Sequence, residues 1–261
     1  MNLGTFGQYQ KEAECCLPVL VTASNIAETN RQEILNNLET YMLKKADGSK
    51  VTICDYLIQT HIVSAILSQF PDDYIMGEES LDNLQEIHPE FMNLVKSKLP
   101  AGMNIEEVYS HVHKTIPEEV HRFWVIDPLD GTSGYVKPPG FSAQYAIAIA
   151  LIVNNDCVFS AVAWPTQEPK LSNLGRAEPV YCFAARTIGS FYTTQSTYDA
   201  CKANGNDNYF TQIHVNHRAP FKNIMPPVPK KFEYKNQNIF QEVFPNKRYY
   251  PIKCSSMSKG L

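Results

Sequence analysis

Residues 123–132 read Phe-Trp-Val-Ile-Asp-Pro-Leu-Asp-Gly-Thr, and no other stretch constrains the fold as tightly. The apolar run 123–126 has the character of a buried strand. It delivers Asp127 to its carboxyl end, where Pro128, which has no N–H to donate, is expected to stop the ladder. Asp130 follows three residues later, and Gly131 frees the backbone to turn tightly. Two carboxylates and an intervening carbonyl can then converge on one point. An all-oxygen donor set of this kind suits Mg²⁺ rather than zinc or copper. Gly131 and Thr132 next offer backbone N–H groups, and Thr132 a hydroxyl, where a helix can begin. Free amides at a helix start bind anions. Carboxylates for a metal beside amides for phosphate is the layout of metal-assisted phosphate-ester hydrolysis. The plainer reading of D-x-x-D is a strand ending in an Asx turn, with both aspartates in water.

The remaining chain alternates helices with strands. Residues 7–43 read as two helices, the first apolar around Cys16, Leu17, Val19, Leu20, Val21 and Ala23, the second carrying Ile34, Leu35, Leu38, Tyr41, Met42 and Leu43 at helical spacing. A polar break over 44–50 contains Asp47-Gly48-Ser49, a turn signal. A third helix spans about Ile53 to Phe70, with Thr52 and Asp55 placed as a capping box and Pro71 ending it. Residues 74–79 are a short strand running into a carboxylate pair. A helix near 87–98 lies within a polar stretch, and 144–153 and 157–163 are strands of a hairpin around Asn154-Asn155-Asp156. Further strands are expected near 180–184, 188–192 and 210–215, followed by a Pro- and Lys-rich segment over 219–251. Helices alternating with hairpins predict a layered α/β (α+β) sandwich, not a doubly wound parallel sheet. We expect an N-terminal metal- and phosphate-binding domain over 1–165 and a partial second domain over 166–261.

Composition narrows the partners. With 23 Lys+Arg against 27 Asp+Glu the net charge is -4, which argues against a nucleic-acid polymer and leaves room for a small anion. No apolar run approaches the ~18 residues that span a bilayer, and the first residues lack the basic and apolar regions of a signal peptide. The seven cysteines include the adjacent pair Cys15-Cys16 and no C-x-x-C, so reduced thiols in the cytosol or nucleus fit better than disulfides or zinc, and a cytoplasmic location is expected.

Two further segments carry chemistry. In Gly77-Glu78-Glu79-Ser80 the two glutamates face opposite ways, so only one can point at a given site. A solvated turn is the commoner meaning of two acids; near an Asp-rich metal site, one becomes a bridging ligand. The segment Lys45-Ala46-Asp47-Gly48-Ser49-Lys50-Val51-Thr52 is, alone, a loop and a helix cap.

Together the three segments resemble the lithium-sensitive, magnesium-dependent phosphatase superfamily that includes inositol monophosphatases and 3′(2′),5′-bisphosphate nucleotidases. Its pattern D-x-S-x-V-T…D, then G-E-E-S, then W-x-x-D-P-[IL]-D-G-T appears here in order over about residues 40–165. Ser133-Gly134-Tyr135, Gln144-Tyr145-Ala146 and Phe70-Pro71-Asp72-Asp73 are closest to the nucleotidase branch. The resemblance implies an α-β-α-β-α sandwich with mixed and antiparallel sheets. It also implies hydrolysis of the 3′-phosphate of adenosine 3′,5′-bisphosphate to AMP, with 3′-phosphoadenylyl sulfate a second candidate and two or three Mg²⁺ ions as cofactor. By position Glu78, Asp127, Asp130 and the Leu129 carbonyl match metal ligands. Asp47 and Thr132 match the pair that activates water, and Glu79 matches an acid behind the metals. His214, Ser256 and Lys259, with Gly131 and Thr132, match substrate contacts; a polar C-terminal tail is the alternative for Ser256 and Lys259. One further aspartate, from the superfamily's W-D-x-A-x-G element, has no counterpart, since Trp124 precedes Val125 and Trp164 precedes Pro165. The resemblance therefore implies a C-terminally truncated member with its last layer incomplete. That leaves open a remnant that only binds ligand, and the shared chemistry leaves open an inositol phosphate phosphatase.

Overall fold

The computed structural model describes residues 5–45, 48–82, 84, 88–138, 144–165, 178–206 and 209–214. Helix α1 (Gln10–Asn36) is continuous, where two helices are expected from the sequence. The polar residues 28–32 look like a break, but Ala27 and Ile34 are both buried and stand seven residues apart, which keeps one face running. Pro18 lies inside the helix on its exposed side, as does Glu14, whose carbonyl loses its partner N–H there. A short helix α2 (Leu38–Tyr41) leads into an antiparallel strand pair, β1 (Met42–Lys44) with β2 (Lys50–Thr52), in which Lys44 and Lys50, the ends of the polar break, lie opposite each other.

Helix α3 (Ile53–Gln69) begins at the expected capping box. Thr52 Oγ1 accepts from Cys54 N at 3.2 Å, and the Asp55 carboxylate accepts from Thr52 N at 2.7 Å. Its apolar residues Ile53, Ile58, Ile62, Val63 and Ile66 are fully buried against α1 and the sheet.

The sheet has eight strands. They are β3 (Tyr74–Gly77), β4 (Val112–His113), β5 (Arg122–Asp130), β6 (Ala146–Val153), β7 (Asp156–Trp164), β8 (Val180–Ala185), β9 (Gly189–Thr194) and β10 (Thr211–Ile213), in the order β10-β9-β8-β7-β6-β5-β3-β4. Only β3 runs parallel to its neighbours, β4 and β5; the others pair antiparallel. The architecture is mixed α/β with mixed and antiparallel sheets. β7 pairs directly with β8, so the sheet continues across residue 165. The β6–β7 hairpin turns on Asn154 and Asn155, both with positive φ, as a two-residue primed turn demands. Further helices are α4 (Pro89–Lys98), α5 (Ile105–Tyr109), α6 (Thr132–Tyr135) and α7 (Gln195–Ala203). No helix among the described residues is long and apolar enough to cross a membrane.

The amino end of β5 is anchored by the Phe70-Pro71-Asp72-Asp73 segment. Both Asp73 carboxylate oxygens accept from Arg122 Nε at 2.9 Å, and one also accepts from Trp124 Nε1 at 2.8 Å. Arg122 Nη2 reaches Glu12 of α1 at 3.1 Å. The segment thus fixes β5 against α1 at the end away from Asp127.

Candidate active site

Strands β3 and β5 are parallel neighbours with Gly77 opposite Ile126, so Glu78 and Asp127 leave the same sheet edge side by side. Pro128 does not stop the ladder. Asp127 pairs with Ala148 and Asp130 with Ala146, so β5 carries one extra residue, a bulge. A bulge has a position that needs no ladder donor, and Pro128 lies within it. Its distortion turns the Asp127 carboxylate back onto the Leu129 N–H at 3.2 Å.

Gly131 then takes φ 87° and ψ 37°, the left-handed conformation open to glycine, and α6 begins at Thr132. The Thr132 hydroxyl lies 3.1 Å from the Leu129 carbonyl and 3.2 Å from Asp55 Oδ1. Asp55, which the sequence marks as a helix cap and as the closing aspartate of the D-x-S-x-V-T…D pattern, therefore serves two roles. One carboxylate oxygen caps α3 and the other meets Thr132. The closing aspartate of the D-x-S-x-V-T…D pattern is the sequence signal that identifies it.

The electrostatics are those of an acid cluster. Burial, then the Glu78 and Asp130 carboxylates, pushes Asp127 up to about 8 from 3.8. Burial and the charges of Glu79 and Glu78 push Asp55 up to about 7, against the bonds it accepts from Thr52. Both glutamates lie past the end of β3 and differ in burial. Glu78 is half exposed beside Asp127, whereas Glu79 is buried and accepts from Lys45 Nζ at 2.6 Å. The same ammonium is 3.8 Å from Glu78. Burial lowers the Lys45 pKa, but Glu79, Glu78 and Asp55 outweigh it and hold the ammonium charged. Lys45 has no role in the sequence reading, because nothing local distinguishes it from any other hairpin lysine.

The oxygen donors Glu78, Asp127, Asp130 and Leu129 O fit a hard divalent cation, whose charge would relieve the repulsion that raises Asp127. Among the described residues no three carboxylate, imidazole or thiol groups already close into a cage. Asp47, Ser256 and Lys259 lie outside the described residues. His214 is exposed and directly follows β10, five strand spacings or about 24 Å across the sheet from β5.

A family profile described as inositol monophosphatase family matches residues 12–259. The chain is 30% identical over 205 residues to 3′(2′),5′-bisphosphate nucleotidase 1 of Candida albicans (strain WO-1), covering 71% of this chain and 55% of that protein. It is 33% identical over 168 residues to 3′(2′),5′-bisphosphate nucleotidase of Schizosaccharomyces pombe, covering 57% and 45%. The chain thus spans about half the length of these curated relatives. Inositol monophosphatase II of Staphylococcus aureus superposes with a TM-score of 0.54 at 16% identity, over 94% of this chain and 66% of that one, which is a likeness of fold.

Proposed function

This chain belongs to the inositol monophosphatase family, and from that membership we propose that it is a Mg²⁺-dependent phosphomonoesterase acting on the 3′-phosphate of adenosine 3′,5′-bisphosphate. The observation that carries the reaction type is the Thr132 hydroxyl held between Asp55 and the carbonyl of Leu129, whose N–H in turn donates to Asp127. The nucleotide substrate rests on the names of the relatives.

Glu78, Asp127, Asp130 and the Leu129 carbonyl would hold the cation, with two or three ions expected from the family resemblance. When bound, Mg²⁺ supplies positive charge to the phosphate oxygens and acidifies water. Thr132 donates its proton to Asp55, which leaves its oxygen lone pairs free to accept from the attacking water. Asp55, which burial and the charges of Glu79 and Glu78 raise in the metal-free chain, receives the proton that the water releases through Thr132. The resemblance gives this role to Asp47; we assign it to Asp55, which meets Thr132 directly. The amides at Gly131 and Thr132 would cradle a phosphate oxygen. Water loses a proton through Thr132 to Asp55 and its oxygen adds to phosphorus as the bond to the 3′-oxygen breaks; that oxygen takes a proton from solvent water, Asp55 returns its own to solvent, and AMP and phosphate leave. His214, Ser256 and Lys259 would contact the nucleotide. Li⁺ inhibition and a cytoplasmic location belong to the same proposal.

Phosphate release from adenosine 3′,5′-bisphosphate and from inositol 1-phosphate, with and without Mg²⁺ and Li⁺, tests the reading. Mg²⁺-dependent, Li⁺-sensitive release from the nucleotide is expected. Preference for inositol 1-phosphate would overturn the substrate. Nucleotide binding with no phosphate release would overturn the enzyme reading in favour of ligand binding without turnover.

A further inference from the structure

We infer that Gln59 is a positioning residue that, through the backbone of Glu79, decides which of two adjacent glutamates stands beside Asp127. The inference rests on the metal site proposed above. Strand β3 runs out of partners just where its acids begin. Its pairing with β4 ends at Met76 and His113, and on the β5 side the last bond is Glu78 N to Ile126 O at 3.1 Å. Glu79 lies beyond both. Its N–H donates to Gln59 Oε1 at 3.0 Å, and its carbonyl accepts from Gln59 Nε2 at 2.7 Å. One side-chain amide therefore does what a neighbouring strand would do, with a donor and an acceptor that glutamine has together and glutamate or leucine lacks.

The contact is built for this pair. Gln59 is fully buried on α3, one helical turn after Asp55, so one face of the helix serves both Thr132 and Glu79. A Cβ on Gly77 would stand 2.8 Å from Cδ, Nε2 and Oε1 of Gln59 alike, so the amide lies across the space that any other residue at 77 would fill. The glycine of G-E-E thus makes room for a side chain that holds the second glutamate. The chain leaves β3 at Gly77 and bends at Glu78, so no ladder fixes which glutamate turns which way. Holding Glu79 inward on Lys45 leaves Glu78 on the Asp127 side. Without the clamp, two buried backbone groups lose their partners and the turn is free to slip by one residue, which would exchange the glutamates.

The test uses the 261-residue chain stripped of metal, with Mn²⁺ as probe by calorimetry and electron paramagnetic resonance. Gln59→Met keeps the volume and removes both hydrogen bonds. We expect it to fold by far-UV circular dichroism and to bind Mn²⁺ about 10–100-fold more weakly. Gly77→Ala should weaken Mn²⁺ in the same direction, and it reads the same contact if Gln59→Met does not fold. In a Glu78→Gln background, Gln59→Met should add no further loss, because the ligand it positions is already gone. Wild-type Mn²⁺ affinity in folded Gln59→Met and Gly77→Ala, or an undiminished loss in the Glu78→Gln background, would overturn the inference. A wild-type chain that binds no Mn²⁺ would instead overturn the metal site itself, and this inference with it.

Discussion

At Asp127 burial, Glu78 and Asp130 all act against ionisation, and the same residue is one of the oxygen donors proposed for the cation. Asp127→Asn removes that charge. Mg²⁺ affinity and phosphate release should both fall by at least about 100-fold, measured by calorimetry and by assay. Thr132→Ala separates chemistry from binding: kcat should drop about 100-fold while Mn²⁺ affinity stays within a factor of about 3. The raised pKa values set a stability profile for the metal-free protein. Asp55 near 7 and Asp127 near 8 keep their protons in the folded state after unfolded aspartates, with an ordinary value of 3.8, have lost theirs. Their contribution is therefore fully present below about pH 4 and is lost as pH rises to about 8. The Tm of the metal-free protein should fall across that window, and saturating Mg²⁺ at pH 8 should restore it. A Tm that rises from pH 5 to pH 8 without metal, with Asp127→Asn unchanged in slope, would refute this account.

The site depends on elements whose turns admit few residues. Helix α6 is only one turn long, and a Cβ on Gly134 would overlap the Gln144 carbonyl oxygen. Because backbone atoms cannot move aside as a side chain would, Gly134→Ala should cost about 3 kcal/mol in urea denaturation and weaken phosphate release. The β6–β7 turn tolerates more. Asn155, at φ 65°, should accept glycine with no loss, whereas Asn155→Val should cost about 1–2 kcal/mol. The capping box at Thr52 and Asp55 and this hairpin were both legible in the sequence, because each is a local pattern of polar residues beside an apolar run. The continuity of α1 was not legible. The polar stretch 28–32 has the local character of a loop, yet Arg31 within it donates to the Tyr135 and Lys137 carbonyls, a partnership more than a hundred residues away in sequence.

Across the whole molecule, β5 ties the two ends together. Arg122 at one end joins Glu12 and Asp73, and Asp127 lies at the other, about 17 Å along the strand. Arg122→Ala leaves two largely buried carboxylates without their cation. It should cost about 2 kcal/mol, less than a fully buried pair would, because the guanidinium is 36% exposed. Mn²⁺ affinity should be unchanged, since the site lies at the far end; a large loss of affinity would mean that the anchor acts on the site through the strand.

The nine residues from Trp124 to Thr132 were enough to propose a carboxylate and phosphate site, because strand, turn and helix start follow one another within a single local segment, whereas the bulge at Pro128 was visible only in the pairing of β5 with β6. G-E-E could likewise be read as a pair of which only one faces inward, since alternation is a property of any extended backbone. Which one does so was decided elsewhere. Gln59 on α3 and Lys45 on the β1–β2 hairpin hold Glu79, and Asp55 on α3 meets Thr132. Glu79 is 20 residues from Gln59 and 34 from Lys45, and Thr132 is 77 from Asp55. A hydrogen bond depends on distances of about 3 Å in space, and local spacing says nothing of that between segments which meet only when the sheet and α3 pack. The sequence by itself therefore determined the chemical groups and their local order, and tertiary packing alone decided which of them touch.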